Sequence, residues 1–305
     1  MTTAFETLYY LAVDLQTNPD YRHLTSHHDV AGREEVERRL RESILTLNMP
    51  GEGLIHRWDR VRVFCRNLVN RAQPAVREAD VKRVLEVVEN DHHSYEDRVV
   101  ALPEIASSML TGRRADGYVS ALRKIASDQV YSELGNLTLL EWIDQRWAFW
   151  VGRPIEDLDV DELLYDIDVL SVIKSTKIEG MGLPLAANFF ADIGLRVFAK
   201  PDLHVTPIIN MLQLRYGESA AFRGLVEIAQ AENDLLSHNR RFNWLMESGG
   251  LYPRYLDRII YLIGSDNYSL DGVKNKRQAP KRRELMRDSL VAAGLIQARY
   301  SGQLY

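Results

Sequence analysis

Residues 177 to 205 read KIEGMGLPLAANFFADIGLRVFAKPDLHV, and this stretch decides how the whole chain is interpreted. Its two glycines, Gly180 and Gly182, suit a place where the backbone turns sharply and a ligand comes close. Leu183 to Ile193 favour a helix, and Pro184 is tolerated in a first helical turn, whose N–H groups lack intrahelical partners. Those N–H groups and the positive end of the helix dipole attract anions such as a phosphate. The sequence therefore predicts a glycine hairpin that opens a helix at an anion site.

The same stretch resembles the helix-hairpin-helix DNA glycosylase superfamily. That family's hairpin has an apolar-x-G-x-G pattern followed by a helix, and Ile178-Glu179-Gly180-Met181-Gly182 matches it. A catalytic aspartate comes next, in a segment often written V-D-T-H-V, and Lys200-Pro201-Asp202-Leu203-His204-Val205 looks like that segment. The resemblance implies an all-α fold of two helical lobes, with a helix-hairpin-helix element and an active-site cleft between the lobes.

One position departs from the strand-nicking members of that family. They carry a lysine two residues past the second hairpin glycine, where this chain has Pro184. Those enzymes attack the sugar with an amine and pass through a Schiff base, which proline cannot form. The resemblance therefore implies a monofunctional enzyme without AP-lyase activity. In it, Asp202 stabilises positive charge on the deoxyribose and orients or deprotonates water. Lys177 and Lys200 lie close in sequence and are the alternative sources of an amine.

Asp202 also has a purely local interpretation. Aspartate is among the better helix N-caps, and a Pro-Asp pair commonly precedes a helix. We favour catalysis because Asp202 keeps the register that the resembled family has with its hairpin. His204 is expected to pack or hydrogen-bond locally, and we give it no chemical role.

Helical periodicity extends along most of the chain. Apolar residues recur at helical spacing, and few runs alternate as a strand does. The segment 33–48 is an example, with one apolar face formed by Val36, Leu40, Ile44 and Leu47. The sequence therefore predicts an all-α protein. By analogy with the resembled family, residues 76–195 are expected to form a central lobe ending in the hairpin, and residues 1–75 with 196–305 a second lobe.

Basic residues are concentrated near the C-terminus, although the net charge is −5. The segment from Lys274 to Arg287 is rich in Lys and Arg, with Glu284 its one acid, and such segregation suits a surface that contacts phosphates. A solvated loop and helix start is the alternative. Together with the hairpin, the predicted DNA-contacting residues are Lys177, Gly180, Met181, Gly182, Leu183, Lys200, Lys274, Lys276, Arg277, Lys281, Arg282 and Arg283. A second candidate set is Arg57, Arg60, Arg62, Arg66 and Arg71.

No cofactor is expected. Cys65 is the single cysteine of the 305 residues, so no intramolecular disulfide and no four-cysteine iron–sulfur cluster can form. The acidic run from Glu156 to Asp168 is interpreted as a solvated face or helix start, and not as a calcium loop. The remaining metal candidate is a zinc site formed by His23, His27, His28, His92 and His93. We favour the simpler interpretation that these are paired histidines on the surface. We therefore predict no metal.

Two groups of aromatic residues invite a comparison with base-binding pockets. They are Trp142, Trp147, Phe149 and Trp150, and Trp244, Tyr252 and Tyr255. An enzyme that cuts an N-glycosidic bond in a duplex must extrude the nucleotide and hold its base, commonly between aromatic faces. Aromatics at helical spacing are mostly core. We expect one or two of these residues to line a pocket.

The N-terminus lacks a basic region followed by an apolar one, and no apolar stretch is long enough to span a bilayer. We therefore expect a cytoplasmic protein.

The resemblance leaves several functions open. The substrate is expected to be double-stranded DNA with a modified base, which is either a damaged or alkylated base, as in DNA repair, or a hypermodified phage base such as glucosylated hydroxymethylcytosine, as in antiviral defence. A non-catalytic helix-hairpin-helix protein that only holds phosphates is the alternative. A purely structural helical adaptor is a third interpretation.

Overall fold

The computed structural model describes residues 2–25, 32–45, 124, 129–178, 181–265 and 278–297. These ranges are mostly helical, which confirms the all-α prediction. The helices are α1 Ala4–Thr17, α2 Arg33–Leu45, α3 Leu139–Trp150, α4 Val160–Ser171, α5 Leu183–Asp192, α6 Val205–Gln213, α7 Glu218–Ser237, α8 Asn243–Glu247, α9 Pro253–Gly264 and α10 Ala279–Ala292. Two short strands, β1 Val130–Tyr131 and β2 Leu137–Thr138, pair antiparallel. No helix in the described ranges is long and apolar enough to cross a membrane.

The chain divides into two compact units. The first unit comprises Met1–Met49, Arg153–Asp161 and Arg196–Tyr305, and the second comprises Pro50–Gly152 and Glu162–Leu195. Residues 46–123 lie outside the described part of the chain, and the predicted lobes 76–195 and 1–75 with 196–305 stay a prediction.

Helix α1 is held at its N-terminus by two kinds of cap. The hydroxyl of Thr3 accepts the N–H of Glu6 at 3.0 Å. Glu232 of α7 is buried, and its two carboxylate oxygens accept the N–H groups of Ala4 and Phe5 at 2.6 and 2.9 Å. These bonds satisfy donors that a helix start leaves without intrahelical partners. A local cap and a residue distant in sequence thus fix where α1 begins.

Helices α6 and α7 approach each other closely at Gly224. A Cβ atom added there would lie 2.5 Å from Cγ2 of Ile209 and 3.0 Å from Cγ of Gln213. Real Cβ atoms do not come so near, so glycine is what lets the two helices pack at this distance. Helix α6 positions the segment that contains Asp202, and this contact fixes α6 against the first unit's longest described helix.

The second unit is organised around a buried carboxylate. Helix α3 begins at a capping box, in which Thr138 and Glu141 satisfy each other's backbone N–H groups. Further along α3, Nε of Arg146 and the indole N–H of Trp150 both donate to Oδ2 of Asp166 in α4, at 2.8 and 2.6 Å.

Asp166 corrects part of one prediction. The acidic run 156–168 is predicted to be a solvated face or helix start, but Asp166 is fully buried. Burial raises its pKa to about 6, while the bonds from Trp150 and Arg146 act in the opposite direction. The other six acids of the run are exposed or half-buried, as a solvated face requires.

Candidate active site

The segment Lys200-Pro201-Asp202 is bonded at almost every polar backbone atom. The N–H of Lys200 donates to Oδ2 of Asp257 at 3.0 Å, and its carbonyl accepts the N–H of Asp202 at 2.8 Å. The carbonyl of Pro201 accepts the hydroxyl of Thr206 at 3.0 Å, and the carbonyl of Asp202 accepts the N–H of Thr206 at 2.8 Å. Since proline also restricts its own φ, the backbone that carries Asp202 has little freedom to turn.

The two oxygens of the Asp202 carboxylate have different surroundings. Oδ1 accepts the N–H groups of His204 and Val205 at 2.9 and 3.2 Å, which caps the start of α6. Oδ2 lies 3.4 Å from Nζ of Lys200. The Asp202 side chain is 12% exposed. The local interpretation as a cap therefore describes Oδ1, and the second oxygen takes no part in the cap.

Buried charges of α9 lie behind this segment. Asp257 is 4% exposed and accepts a bond from Nη1 of Arg254 at 2.8 Å. Burial raises the pKa of Asp257, the charge of Arg254 opposes that rise, and the charge of Asp202 adds to it. Burial also lowers the pKa of Arg258, which lies one turn after Arg254 in α9, to about 10. The charge of Asp202, which is partly exposed, thus acts on the buried carboxylate of Asp257.

His204 packs within the first unit. Its ring meets Tyr261 of α9 edge to face, with ring centroids 5.8 Å apart. A Cβ atom added at Gly264 would come within 3.3 Å of the His204 Cβ. His204 therefore contributes packing next to Asp202.

The predicted hairpin is only partly covered by the structure, because Glu179 and Gly180 lie outside the described residues. Ile178 and Met181 are buried. The side chain of Met181 is therefore not available for a DNA contact, which leaves the backbone of this residue for that role. Lys177 is exposed, and its carbonyl accepts a bond from Nζ of Lys124 at 2.8 Å.

Helix α5 begins directly after the residues of the predicted hairpin, with Gly182 as its N-cap residue. The N–H groups of Leu185 and Ala186 donate to the Gly182 carbonyl at 2.9 and 3.0 Å, and Pro184 has no N–H. Among the first-turn residues that the structure describes, Leu183 is therefore the one whose N–H has no acceptor within the helix. The predicted anion site thus has fewer donors than the sequence suggested.

Arg282 departs from its predicted role as a DNA contact. It is 1% exposed, and its guanidinium donates to the carbonyls of Ile263 and Leu24 at 2.7 and 3.0 Å and to that of Ser265. A guanidinium committed in this way inside the first unit is not part of a phosphate-binding surface. Its role is to hold α10 against the ends of neighbouring elements.

The other predicted basic contacts are spread over different situations. Lys281 is exposed and Arg283 is half-buried, both at the start of α10. Lys200 lies beside Asp202, as described above. The remaining basic candidates lie outside the described residues, and they are Lys274, Lys276, Arg277, Arg57, Arg60, Arg62, Arg66 and Arg71.

The aromatic residues mostly make core contacts within their own unit. Trp142 and Trp150 are buried in the second unit, and the indole N–H of Trp147 donates to the Ile193 carbonyl at 3.0 Å. In the first unit, Tyr252 and Tyr255 are buried and meet edge to face. Exposure therefore does not identify which of these aromatic residues would line the predicted pocket.

Of the histidines considered for zinc, His23 is exposed, and the others lie outside the described residues, as Cys65 does. In the described ranges, no group of three or more His, Cys, Asp or Glu is placed to hold a metal ion.

Comparison with protein-family models, curated proteins and solved structures finds no match to this chain. Its function therefore has to be inferred from its own residues.

Asp257 and Arg254 are the residues next to the candidate site that sequence reasoning missed. Their spacing of three along a helix is a signal for an ion pair on one helix face. That the pair also binds the backbone of Lys200, distant in sequence, is visible only in three dimensions.

Proposed function

We propose that this protein is a monofunctional DNA glycosylase, with Asp202 as its catalytic carboxylate. The observation that supports this most is the asymmetry of Asp202, because Oδ1 is held by two backbone N–H groups while Oδ2 takes no part in that cap. A carboxylate fixed through one oxygen presents the other in a single orientation. Pre-organised charge of this kind is what stabilises a cationic transition state.

In the proposed reaction, the C1′–N bond of an extruded nucleotide breaks and its electron pair leaves with the base. Positive charge develops on the deoxyribose, and the negative charge of Asp202 stabilises it. Water then forms the new bond to C1′, and Asp202 orients it or accepts its proton. The products are a free base and an abasic site. With Pro184 in the position of the family's lysine, no Schiff base forms there.

The proposal includes a helix-hairpin-helix element that binds a DNA phosphate, and a cleft that admits the extruded nucleotide. Gly182 supports the phosphate contact. Its φ is −78°, which any residue adopts, and the atom nearest to an added Cβ would be Cδ of Pro184 at 3.9 Å. The described protein itself thus places no demand for glycine there, whereas a close ligand would.

The substrate class is proposed to be duplex DNA with a modified base. An alkylated purine already carries positive charge, so a carboxylate and a stacking pocket suffice to expel it. A hypermodified phage base such as glucosylated hydroxymethylcytosine is the second candidate, and it implies antiviral defence in place of repair.

The decisive experiment measures base release and abasic sites from alkylated duplexes and from phage DNA with and without the hypermodified base. Wild-type protein should release one class of base. Asp202→Asn should lower kcat about 100-fold or more, with DNA affinity nearly unchanged. Borohydride should trap no covalent adduct, and a robust adduct would instead point to an amine such as Lys200. Full activity of Asp202→Asn would remove the proposed role.

Gly182→Ala tests the phosphate contact separately. Because the added methyl has room and φ is ordinary, the midpoint of thermal unfolding should stay within about 2 °C of wild type. DNA affinity should fall several-fold, because the methyl stands where the phosphate approaches. Unchanged affinity would place the phosphate elsewhere.

The alternative is a non-catalytic protein that uses the hairpin only to hold DNA. It predicts that wild type and Asp202→Asn bind duplexes equally and release no base from any of them. If neither binds duplex DNA at low salt, a helical adaptor function is favoured instead.

A further inference from the structure

We propose that Asp257, neutralised by Arg254, is the positioning residue that fixes the Asp202 carboxylate for reaction. This inference rests on the proposed function, since it assigns a role to groups behind the same site. All of the residues involved belong to the first unit.

The first step concerns the backbone before Asp202. The N–H of Lys200 donates to Oδ2 of Asp257, a carboxylate that is 4% exposed and belongs to helix α9, most of whose residues are buried. A bond from a backbone N–H to an ionised carboxylate is stronger than one between neutral groups. The Lys200 end of the segment is thereby fastened to the interior of the unit.

The second step follows the segment forward. The carbonyl of Lys200 accepts the N–H of Asp202 at 2.8 Å, and Pro201 between them has a fixed φ. The carbonyl of Asp202 and its Oδ1 are both bound by the start of α6. Asp202 is therefore held between two anchors, Asp257 on one side and α6 on the other. Loss of one anchor leaves the carboxylate free to turn about the other.

The third step is electrostatic. An ionised carboxylate inside a protein is costly unless it is paired. Asp257 is paired, because Nη1 of Arg254 lies 2.8 Å from its Oδ2. Each charge thereby offsets the cost of burying the other. The same Oδ2 binds the N–H of Lys200. The ion pair thus keeps an anionic acceptor in place where the segment needs one.

The test compares wild type with Asp257→Asn and Asp257→Ala. The asparagine keeps an acceptor oxygen for the Lys200 N–H but loses the charge that Arg254 needs, and the alanine loses both. Since misplacement of a reacting group by about 1 Å can lower a rate about 100-fold, kcat for base release should fall in the order wild type, Asn, Ala. The dissociation constant for DNA should stay within about twofold, because no phosphate contact is removed.

Glu232→Gln is the matched control. Glu232 is also a buried carboxylate of the first unit that accepts backbone N–H groups, but those belong to Ala4 and Phe5. Its loss should destabilise the protein without lowering kcat. Equal losses of kcat in Glu232→Gln and Asp257→Asn would reduce Asp257 to a general contributor to stability.

Hydrogen exchange supplies a readout that does not need activity. In Asp257→Ala, amides of the peptide spanning 200–206 should exchange about 10-fold faster or more, while Glu232→Gln leaves that peptide unchanged. Unchanged exchange of the peptide, or full kcat in both Asp257 variants of an active protein, would overturn the inference. An inactive wild type on every duplex would instead be the failure of the proposed function.

Discussion

Among single residues, Arg282 shows how far the environment decides the role of a charged side chain. Its neighbour Lys281 has the same sign of charge and is exposed, whereas Arg282 is buried and donates to three carbonyl groups. Arginine suits such a place because its planar guanidinium presents several donors in fixed directions. Two adjacent basic residues therefore have different surroundings, since Lys281 faces solvent and Arg282 is part of the core.

Arg282→Met should lower the free energy of unfolding by about 3 kcal/mol or more, because the buried carbonyls of Ile263, Leu24 and Ser265 lose their donor. Denaturant unfolding measures this loss. The slope of DNA affinity against salt should not change, since no phosphate contact disappears. Lys281→Met is the control, and it should leave stability within about 0.5 kcal/mol. A stable Arg282→Met protein with a shallower salt slope would restore the surface role.

Among the secondary-structure elements, α6 shows what packing adds to a helical pattern. The apolar residues Val205, Ile208 and Ile209 are buried on one side of the helix, as periodicity requires. How closely α7 approaches depends on Gly224, which has no side chain to separate the two helices. Since α6 is capped by Asp202, this contact also bears on the candidate active site.

Gly224→Ala should destabilise the protein by about 1 to 3 kcal/mol through overpacking against Ile209, although alanine is by itself the better helix former. Thermal or denaturant unfolding checks the change. Adding Ile209→Leu removes the Cγ2 methyl that the new Cβ meets, so the double variant should be more stable than the sum of the two single effects. Ala231→Leu, an enlargement at an exposed position of α7, should be nearly neutral. A neutral Gly224→Ala would mean that the two helices separate at little cost.

In the molecule as a whole, the main helical architecture follows from periodicity, while the charged interior does not. The pattern over 33–48 predicted one apolar face, and Val36, Leu40 and Ile44 of α2 are buried. Asp166 lies in a run of acids whose other members face solvent more than it does. It is buried because Arg146 and Trp150 of α3 supply donors at the matching point.

Asp166 should give the stability of the protein a distinct pH dependence. Its pKa is about 6 in the folded state against an ordinary 3.8, so between pH 4 and 6 the folded state keeps a proton that the unfolded state has lost. Stability from this group is therefore present below about pH 4 and is lost as the pH rises through 6, by about 3 kcal/mol in total.

Asp166→Asn should remove that dependence. The free energy of unfolding of the variant minus that of wild type should therefore increase as the pH rises from 4 to 7. Unfolding curves at four pH values in that interval measure the difference. Asp161→Asn, at an exposed carboxylate of the same helix, is measured beside it as the comparison variant. Parallel curves for Asp166→Asn would show that Asp166 titrates alike in the folded and unfolded states.

The sequence by itself determined the all-α class, the helix that follows Gly182 and the candidate status of Asp202, because periodicity, caps and proline act over neighbouring residues. Only the tertiary structure decided that Arg282 lies inside, that Asp166 is buried and that Asp257 binds the backbone of Lys200. Those contacts join positions far apart in the chain. They form only when the helices pack against one another, so the residues next to a charged side chain in sequence do not determine which partner it binds.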